Sequence, residues 1–306
     1  MPQPSAVNPS SLHASPLWKS LVSLGVIHPE HVEPFYPQVR DREDIAVLRC
    51  AKSGVIFLSD FAHMDPSHYV EKDGMAYWDA DDWRGAVRVG HTDAVRRAEQ
   101  FQDLIANRSW LDFGTGAGGL LVRLNEIARE AVAVELQREA RQALIEHGYT
   151  AFESVEQMAP GRLFDIVTLF HVMEHLTDPL TTLRQLHDRL KSGGKIIVEV
   201  PHARDFLMDF LHLEPFKKFT FWSEHLILHT RSSLETFLHA AGFEAVSIRG
   251  FQRYPLSNHL HWLAKGKPGG HEAWAELDTP ALCSAYGEML MGMDRSDTLI
   301  AYATKP

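Results

Sequence analysis

A chain of 306 residues, 45% of them hydrophobic, suits one large domain with additions or one domain with a small second one. Its 40 acidic residues outnumber 30 basic ones and give a formal net charge of −10, so the sequence lacks the basic footprint of a nucleic-acid-binding protein. Two distant cysteines exclude a disulfide framework, and without a secretory leader or an apolar run of spanning length we expect a cytoplasmic protein.

Residues 1–88 are predicted to form an N-terminal extension with a lid-like segment. A short apolar helix is expected within residues 17–37. Two β-rich runs, 45–50 and 55–59, flank a glycine-bearing turn and predict a hairpin. Three aromatic residues beyond the hairpin are candidates for a lid or cofactor contact, or for ordinary core packing: Tyr69, Tyr77 and Trp78.

In residues 89–306 strands alternate with helices, which predicts an α/β core with a parallel sheet covered on both faces. Ligands of such sheets bind at the carboxyl ends of the strands. Residues 252–297 separate the last two strands and are predicted to be a mostly helical insertion over the active-site face. The predicted strands are 109–113, 131–135, 150–152, 164–170, 195–200, 243–248 and 298–303, and the predicted helices between them are 91–106, 120–129, 138–147, 178–192 and 232–241.

A glycine-rich loop, Asp112-x-Gly114-x-Gly116-x-Gly118, lies where the first core strand turns into the first core helix. Glycine allows close approach of the backbone to a ligand, and the N–H groups of a helix N-terminus suit a carboxylate such as that of S-adenosylmethionine. The same letters satisfy the dinucleotide fingerprint, so the loop alone leaves both cofactors open. Glu135, at the end of the second strand, can accept hydrogen bonds from both ribose hydroxyls under either interpretation, or can be a solvated strand-end charge.

The ordered core resembles class I S-adenosylmethionine-dependent methyltransferases, in the branch of the ubiquinone-biosynthesis O-methyltransferases and the bacterial sugar and surface-polysaccharide methyltransferases. The resemblance spans about residues 90–250 and resumes at the last strand. It implies a Rossmann-like, doubly wound sheet of seven strands in the order 3-2-1-4-5-7-6, with strand 7 antiparallel. The matching segments are Leu111–Gly118, Phe164–Val167, Val172–Leu180, Leu190–Pro201 and Ala241–Phe243.

The resemblance also implies S-adenosylmethionine as the cofactor and assigns residues to it. The loop would hold the methionine end, Glu135 the ribose, and the segment after strand three would lie near the adenine. The candidate cofactor contacts are Asp112, Phe113, Gly114, Thr115, Gly116, Gly118, Glu135, Leu136, Ser154, Phe170 and His171.

Histidines are the candidate catalytic residues. His225 follows the fifth-strand crossover, where a neutral imidazole could accept the proton of an attacking hydroxyl; a satisfied, partly buried histidine is the alternative. His171 leaves the fourth strand beside the expected methyl group, and His202 follows the fifth strand toward the cleft. His229 is a weaker candidate.

No metal site is expected. His171-x-x-Glu174-His175 spells the inverted zinc-protease motif, but it directly follows a parallel strand and a proline soon prevents a long helix. The turn after Cys50 resembles half of a zinc ribbon, in which Ser53 replaces the second cysteine. The hairpin is therefore interpreted as a degenerate zinc-ribbon-like element without metal.

The insertion holds the candidate substrate-binding residues Arg253, Tyr254 and His259. Polar and aromatic groups of this kind suit sugar recognition, an arginine can hold a phosphate, and the same mixture suits a homodimer contact. The leading hypothesis is methyl transfer to a hydroxyl, or less readily a carbon, of a small-molecule acceptor such as a sugar or nucleotide-linked sugar of polysaccharide biosynthesis. The alternatives are a non-catalytic cofactor-binding module and an NAD-dependent dehydrogenase; neither a nucleic-acid partner nor a membrane span is expected.

Overall fold

We describe the protein from a computed structural model that covers residues 9–64, 68, 75 and 79–306. The predictions for Tyr69, Tyr77 and Trp78 lie outside the described residues. The β-strands are β1 (Val32–Tyr36), β2 (Val47–Cys50), β3 (Ile56–Leu58), β4 (Ser109–Phe113), β5 (Glu130–Val134), β6 (Ala151–Phe152), β7 (Phe164–Phe170), β8 (Leu190–Pro201), β9 (Ile227–Leu228), β10 (Glu244–Phe251) and β11 (Thr298–Thr304). The described α-helices are α1 (Pro9–Ala14), α2 (Pro16–Ser23), α3 (Trp83–Val89), α4 (His91–Ile105), α5 (Gly119–Leu124), α6 (Arg138–Glu146), α7 (Pro179–Asp188), α8 (Glu214–Thr220), α9 (Arg231–Ala240), α10 (Leu256–Lys265), α11 (Gly270–Ala273) and α12 (Pro280–Gly292).

The core is a seven-stranded sheet in the order β10-β11-β8-β7-β4-β5-β6. Strands β4 to β8 pair in parallel, whereas β11 is antiparallel to both β8 and β10. This is the predicted order, with the last strand inserted antiparallel. The carboxyl ends of β4, β5 and β7 therefore meet at one edge, where ligands of such sheets bind.

Hydrophobic packing covers both faces of this sheet. One cluster contains Phe101 of α4, Trp110 of β4 and Leu144 of α6. The other joins Val167 of β7 to Phe237 of α9 and continues into the N-terminal segment. Burial on both faces explains why the central strands are continuous apolar runs rather than alternating ones.

The N-terminal extension shares its sheet with a later part of the chain. The predicted hairpin is present as β2 and β3, within a four-stranded sheet of order β1-β2-β3-β9. Since β9 belongs to residues 89–306, the boundary predicted after residue 88 does not separate two independent cores. Cys50 is a free, buried thiol.

Three predicted helices end earlier than expected. The helix predicted over residues 120–129 is α5, which ends at Leu124. The helix within residues 17–37 ends at Ser23, and β1 follows it, because Pro29 and Pro34 cannot continue a helix interior. Helix α7 ends at Asp188 rather than near residue 192, and the chain enters β8 at Leu190.

The insertion between β10 and β11 is helical, as predicted, and consists of α10, α11 and α12 joined by short turns. Asp297 ties its start to its end, because its carboxylate accepts hydrogen bonds from the backbone N–H of Arg253 and Tyr254, each at 3.1 Å. In the part of the chain that the structure describes, every helix is too short or too polar to cross a bilayer.

Candidate functional site

A cavity of about 480 Å3 opens at the carboxyl ends of β4, β5 and β7. Its size is typical of a small-molecule site. All of the predicted cofactor contacts line it except Gly118: Asp112, Phe113, Gly114, Thr115, Gly116, Glu135, Leu136, Ser154, Phe170 and His171. Sequence reasoning therefore found most of one wall, although contact with a cofactor remains a prediction for each residue.

The glycine loop has the backbone geometry that excludes side chains. Gly114 has φ +72°, and a Cβ there would lie 2.4 Å from Cγ2 of Val172. Gly118 has φ +81°, and a Cβ there would lie 2.5 Å from Cδ2 of Leu144 on α6. Gly118 thus allows close packing of the loop against a helix, which explains its absence from the cavity wall.

Asp112 braces the loop from below. Its carboxylate accepts hydrogen bonds from the hydroxyls of Thr168, at 2.6 Å, and Thr115, at 2.7 Å. Burial raises the pKa of the Asp112 carboxyl, although the hydrogen bonds from the two hydroxyls act to lower it. The side chain therefore fixes strand β4 to the loop that leaves it.

Glu135 is hydrogen-bonded directly to the glycine loop. One carboxylate oxygen accepts the N–H of Gly116 at 2.7 Å, and the other accepts the N–H of Gln137 at 2.8 Å. Burial raises the pKa of this carboxyl, and the backbone donors act in the opposite direction. Each oxygen keeps a lone pair for a further donor, so the group can receive the two ribose hydroxyls of a nucleoside. The residues fit S-adenosylmethionine: a carboxylate for the ribose, a helix N-terminus for the methionine carboxylate, and a largely apolar chamber between them.

His171 lies at the other end of the cavity with φ +55°, between two buried carboxylates. Its Nδ1 is 3.0 Å from Glu174, and its Nε2 is 3.2 Å from Glu199. Burial and the neighbouring Arg253 act to lower the His171 pKa, but the hydrogen bonds to the two carboxylates outweigh them and raise it. Both ring nitrogens of His171 thus lie within hydrogen-bond distance of charged side chains, and its role as the base stays a prediction.

Glu199 organises this end of the cavity; it lies in the matching segment Leu190–Pro201, but no role was predicted for it. The side chain is fully buried in β8 and accepts hydrogen bonds from Arg97 at 2.6 Å and Arg96 at 2.8 Å. Burial alone would raise the pKa of the Glu199 carboxyl, but His171 and the two arginines outweigh it and hold the pKa well below the usual range. Helix α4 is thereby tied to the strand ends.

The other two candidate bases lie behind the cavity wall. The ring of His225 is 5.0 Å from that of His175, edge to face, and burial lowers its pKa to about 3. His202 is 1% exposed and donates from Nδ1 to the Ser296 carbonyl at 3.0 Å; burial lowers its pKa to about 4. Both are neutral imidazoles, but neither lines the cavity.

The predicted substrate residues do not line the cavity either. Arg253 is ion-paired with Asp93 and lies 3.2 Å from Nε2 of His171, so its guanidinium is already engaged. His259 is buried in the insertion, with its Nδ1 hydrogen-bonded to the Tyr286 hydroxyl at 2.7 Å. Tyr254 is 39% exposed on the insertion surface. Substrate binding by these residues remains a prediction.

Several polar groups on the cavity wall were not predicted. Gln137 follows Glu135 by two residues, a spacing that could have suggested it. The others come from a helix without a motif or from turns whose orientation the sequence does not reveal. The unpredicted polar lining residues are Arg97, Gln137, Glu156, His175 and Gln185; Glu153 belongs to the segment expected near the adenine.

Comparison with known proteins agrees with this geometry. A family model described as a methyltransferase domain matches residues 92–248, just over half of the chain. A ubiquinone biosynthesis O-methyltransferase of Ruegeria pomeroyi is 29% identical over 164 residues, which are 48% of this chain and 64% of that protein. A tRNA U34 carboxymethyltransferase of Alteromonas mediterranea is 30% identical over 130 residues, 36% of this chain and 39% of that protein.

Among solved structures, a SAM-dependent methyltransferase from Archaeoglobus fulgidus superposes with a TM-score of 0.52 at 19% identity, over 75% of this chain and 99% of that one. This likeness shows the fold. The chain spans less than two thirds of the two curated relatives named above. The dehydrogenase alternative is set aside, because the match covers the ordered core as well as the ambiguous glycine loop. The chain belongs to the methyltransferase domain family and has the fold of an S-adenosylmethionine-dependent methyltransferase.

Proposed function

We propose that the protein transfers a methyl group to a hydroxyl of a small acceptor, a sugar or a nucleotide-linked sugar. One observation carries this: a single cavity joins the nucleoside-type end at Glu135 to a wall of two imidazoles, His171 and His175. The glycine loop and Glu135 would hold a cofactor at the first end and leave the second end for the acceptor. An uncharged polar acceptor would meet hydrogen-bonding groups there.

The cofactor, when bound, supplies an electrophilic methyl group, so the protein chiefly has to align the acceptor with it. The glycine loop and Glu135 hold the nucleoside and methionine ends. His171, fixed between Glu174 and Glu199, shapes the acceptor end. Among the histidines, His175 reaches the cavity and His225 lies directly behind it, so we expect turnover to depend on both.

The net charge of the chain and the names of its curated relatives favour a small acceptor with an oxygen nucleophile. The net charge of −10 opposes binding of a polyanion such as RNA. The ubiquinone-biosynthesis relatives are named as O-methyltransferases, which supports oxygen as the accepting atom. Aromatic and polar residues of the insertion, Tyr254 among them, suit stacking and hydrogen bonding to a sugar ring.

The test has two steps. Calorimetry with S-adenosylhomocysteine and with NAD first checks the cofactor; binding of the former alone is expected. Transfer of labelled methyl groups is then measured against nucleotide sugars, lipid-linked sugars, small phenols and tRNA. Label on a sugar hydroxyl supports the proposal, whereas label confined to phenols or tRNA overturns the acceptor class.

Variants separate binding from turnover. His175→Ala and His225→Ala should leave binding of S-adenosylhomocysteine within about twofold and lower turnover by about 10²-fold, because a displaced wall misaligns the acceptor with the methyl group. His239→Ala, on the outer part of α9, is the matched control and should change neither. Unchanged turnover in His225→Ala would remove that residue from the mechanism.

A further inference from the structure

Three potential metal ligands meet behind the histidine wall of the cavity. Glu174, His175 and His225 each present one ligand atom, and these atoms all lie within 4.8 Å of one another. Glu174 is completely buried, and its Oε2 has no hydrogen-bond partner among the residues that the structure describes. From this arrangement we propose that the three residues, the Glu–His–His cluster, bind a divalent transition-metal ion.

The donor set selects the kind of ion. Two imidazole nitrogens and one carboxylate oxygen suit Zn²⁺, Fe²⁺, Mn²⁺ or Co²⁺, whereas Mg²⁺ and Ca²⁺ prefer all-oxygen sites. Three protein ligands leave at least one coordination position open. Around a tetrahedral ion with bonds of about 2.0–2.1 Å the ligand atoms would be about 3.3 Å apart, so the cluster contracts by at most about 1.5 Å on binding.

The surroundings hold the ligands in place. The Leu226 N–H donates to the Glu174 carbonyl at 2.8 Å, which fastens the loop carrying His225 to the turn after β7. His171 donates from Nδ1 to Oε1 of Glu174 at 3.0 Å, fixing the carboxylate. Outer groups of this kind orient the ligands of metal sites. They leave Oε2 as the coordinating atom.

A hydrogen-bond cluster explains the arrangement less well. Nε2 of His175 is 4.0 Å from Oε1 of Glu174, too far for a hydrogen bond. A buried carboxylate oxygen without a donor has lost its hydrogen bonds to water without replacement, which is unfavourable. A cation would satisfy that oxygen, with the two imidazoles as its further ligands. The motif His171-x-x-Glu174-His175 did not indicate this site, because the third ligand comes from position 225 and His171 acts outside the ligand set.

This inference goes beyond the proposed function and does not depend on the acceptor. His175 also lines the cofactor cavity, whereas Glu174 and His225 do not, so the ion would lie at the acceptor end of the wall. Metal binding can be measured without cofactor or acceptor. A failure to methylate sugars would therefore not contradict the metal site, and absence of metal binding would not contradict the cofactor site.

The experiment uses full-length protein without a histidine tag, dialysed against chelator. Co²⁺ and Zn²⁺ are titrated by absorption spectroscopy and calorimetry, with Mg²⁺ as the comparison. One equivalent of Co²⁺ should bind with a spectrum lacking thiolate charge-transfer bands, which excludes binding at Cys50 or Cys283. Zn²⁺ should displace it, and Mg²⁺ should not compete.

Two variants assign the site. His225→Ala and Glu174→Gln should weaken Co²⁺ binding by at least about tenfold, while His239→Ala binds like the unaltered protein. Circular dichroism checks the fold of each variant. Failure of the unaltered protein to bind Co²⁺ or Zn²⁺ overturns the proposal whether or not the variants fold, and so does undiminished binding in both folded variants.

Discussion

The two ends of the cavity are built by different means. At the cofactor end, residues 112–137 supply the loop, its brace Asp112 and the carboxylate Glu135 from two neighbouring strands, largely through backbone N–H groups. At the acceptor end, charged side chains from α4 and the turn after β7 converge on Glu199 of strand β8.

The difference shows which interactions each end depends on. Backbone donors at the cofactor end stay in place when a polar side chain is exchanged for another of the same size, so the fold should tolerate such exchanges there and binding should suffer. The acceptor end balances buried charges against one another, and removal of one leaves the others uncompensated. Substitutions at the acceptor end should therefore cost stability first.

The largest expected effect is at Glu199. Glu199→Gln leaves Arg96, Arg97 and His171 without their carboxylate, and breaking a buried ion pair of this kind costs about 3–5 kcal/mol. The free energy of unfolding, measured by urea denaturation, should fall by that amount. Asp165→Asn is the control: this carboxylate is also ion-paired but more exposed, so its loss should lower the free energy of unfolding by less. A loss below about 1 kcal/mol at Glu199 would remove the contrast between the two ends.

The next largest effect is at Gly114. Gly114→Ala places a Cβ 2.4 Å from Val172 at φ +72°, whereas Gly25→Ala has φ +66° and open space around it. At both positions the free energy of unfolding should fall by about 1–2 kcal/mol, because alanine is disfavoured at positive φ. At Gly114 the clash with Val172 should lower it by about 1–3 kcal/mol more. Thermal unfolding compares the two. Equal losses would show that Val172 moves aside and that the loop is less tightly packed than the structure indicates.

Much of the fold followed from the sequence, because strands β4, β5 and β7 are continuous apolar runs and the family resemblance supplied their order. The cofactor end followed as well, since its residues are close in sequence. The acceptor end did not: Arg96 and Arg97 lie on a helix without a motif, about a hundred residues from Glu199. Strand β1 was not predicted, although Pro29 and Pro34 argued against a helix there. Strand β9 was not predicted either, because its two residues are too few for a periodic signal.

A smaller effect is expected on binding at Glu135. Glu135→Gln keeps the size of the side chain and removes its charge, so the ribose hydroxyls lose charge-assisted hydrogen bonds worth about 1.5–3 kcal/mol. Affinity for S-adenosylhomocysteine, measured by calorimetry, should fall about 10- to 100-fold. Glu139→Gln on the exposed face of α6 should bind normally. A change of less than about twofold at Glu135 would place the ribose elsewhere.

The smallest effect is a pH dependence in the insertion. Burial lowers the pKa of His259 from 6.5 to about 4, and its described neighbours are the Tyr286 hydroxyl and the Gln252 amide, which also contacts Asp297. The unfolded chain therefore binds a proton more readily than the folded one, so the stability that His259 contributes is complete above pH 6.5 and is lost as the pH falls toward 4. His259→Gln should flatten this part of the stability–pH curve, measured by urea denaturation between those limits. An unchanged slope would show that His259 is hydrated and accessible, as its predicted role in substrate binding requires.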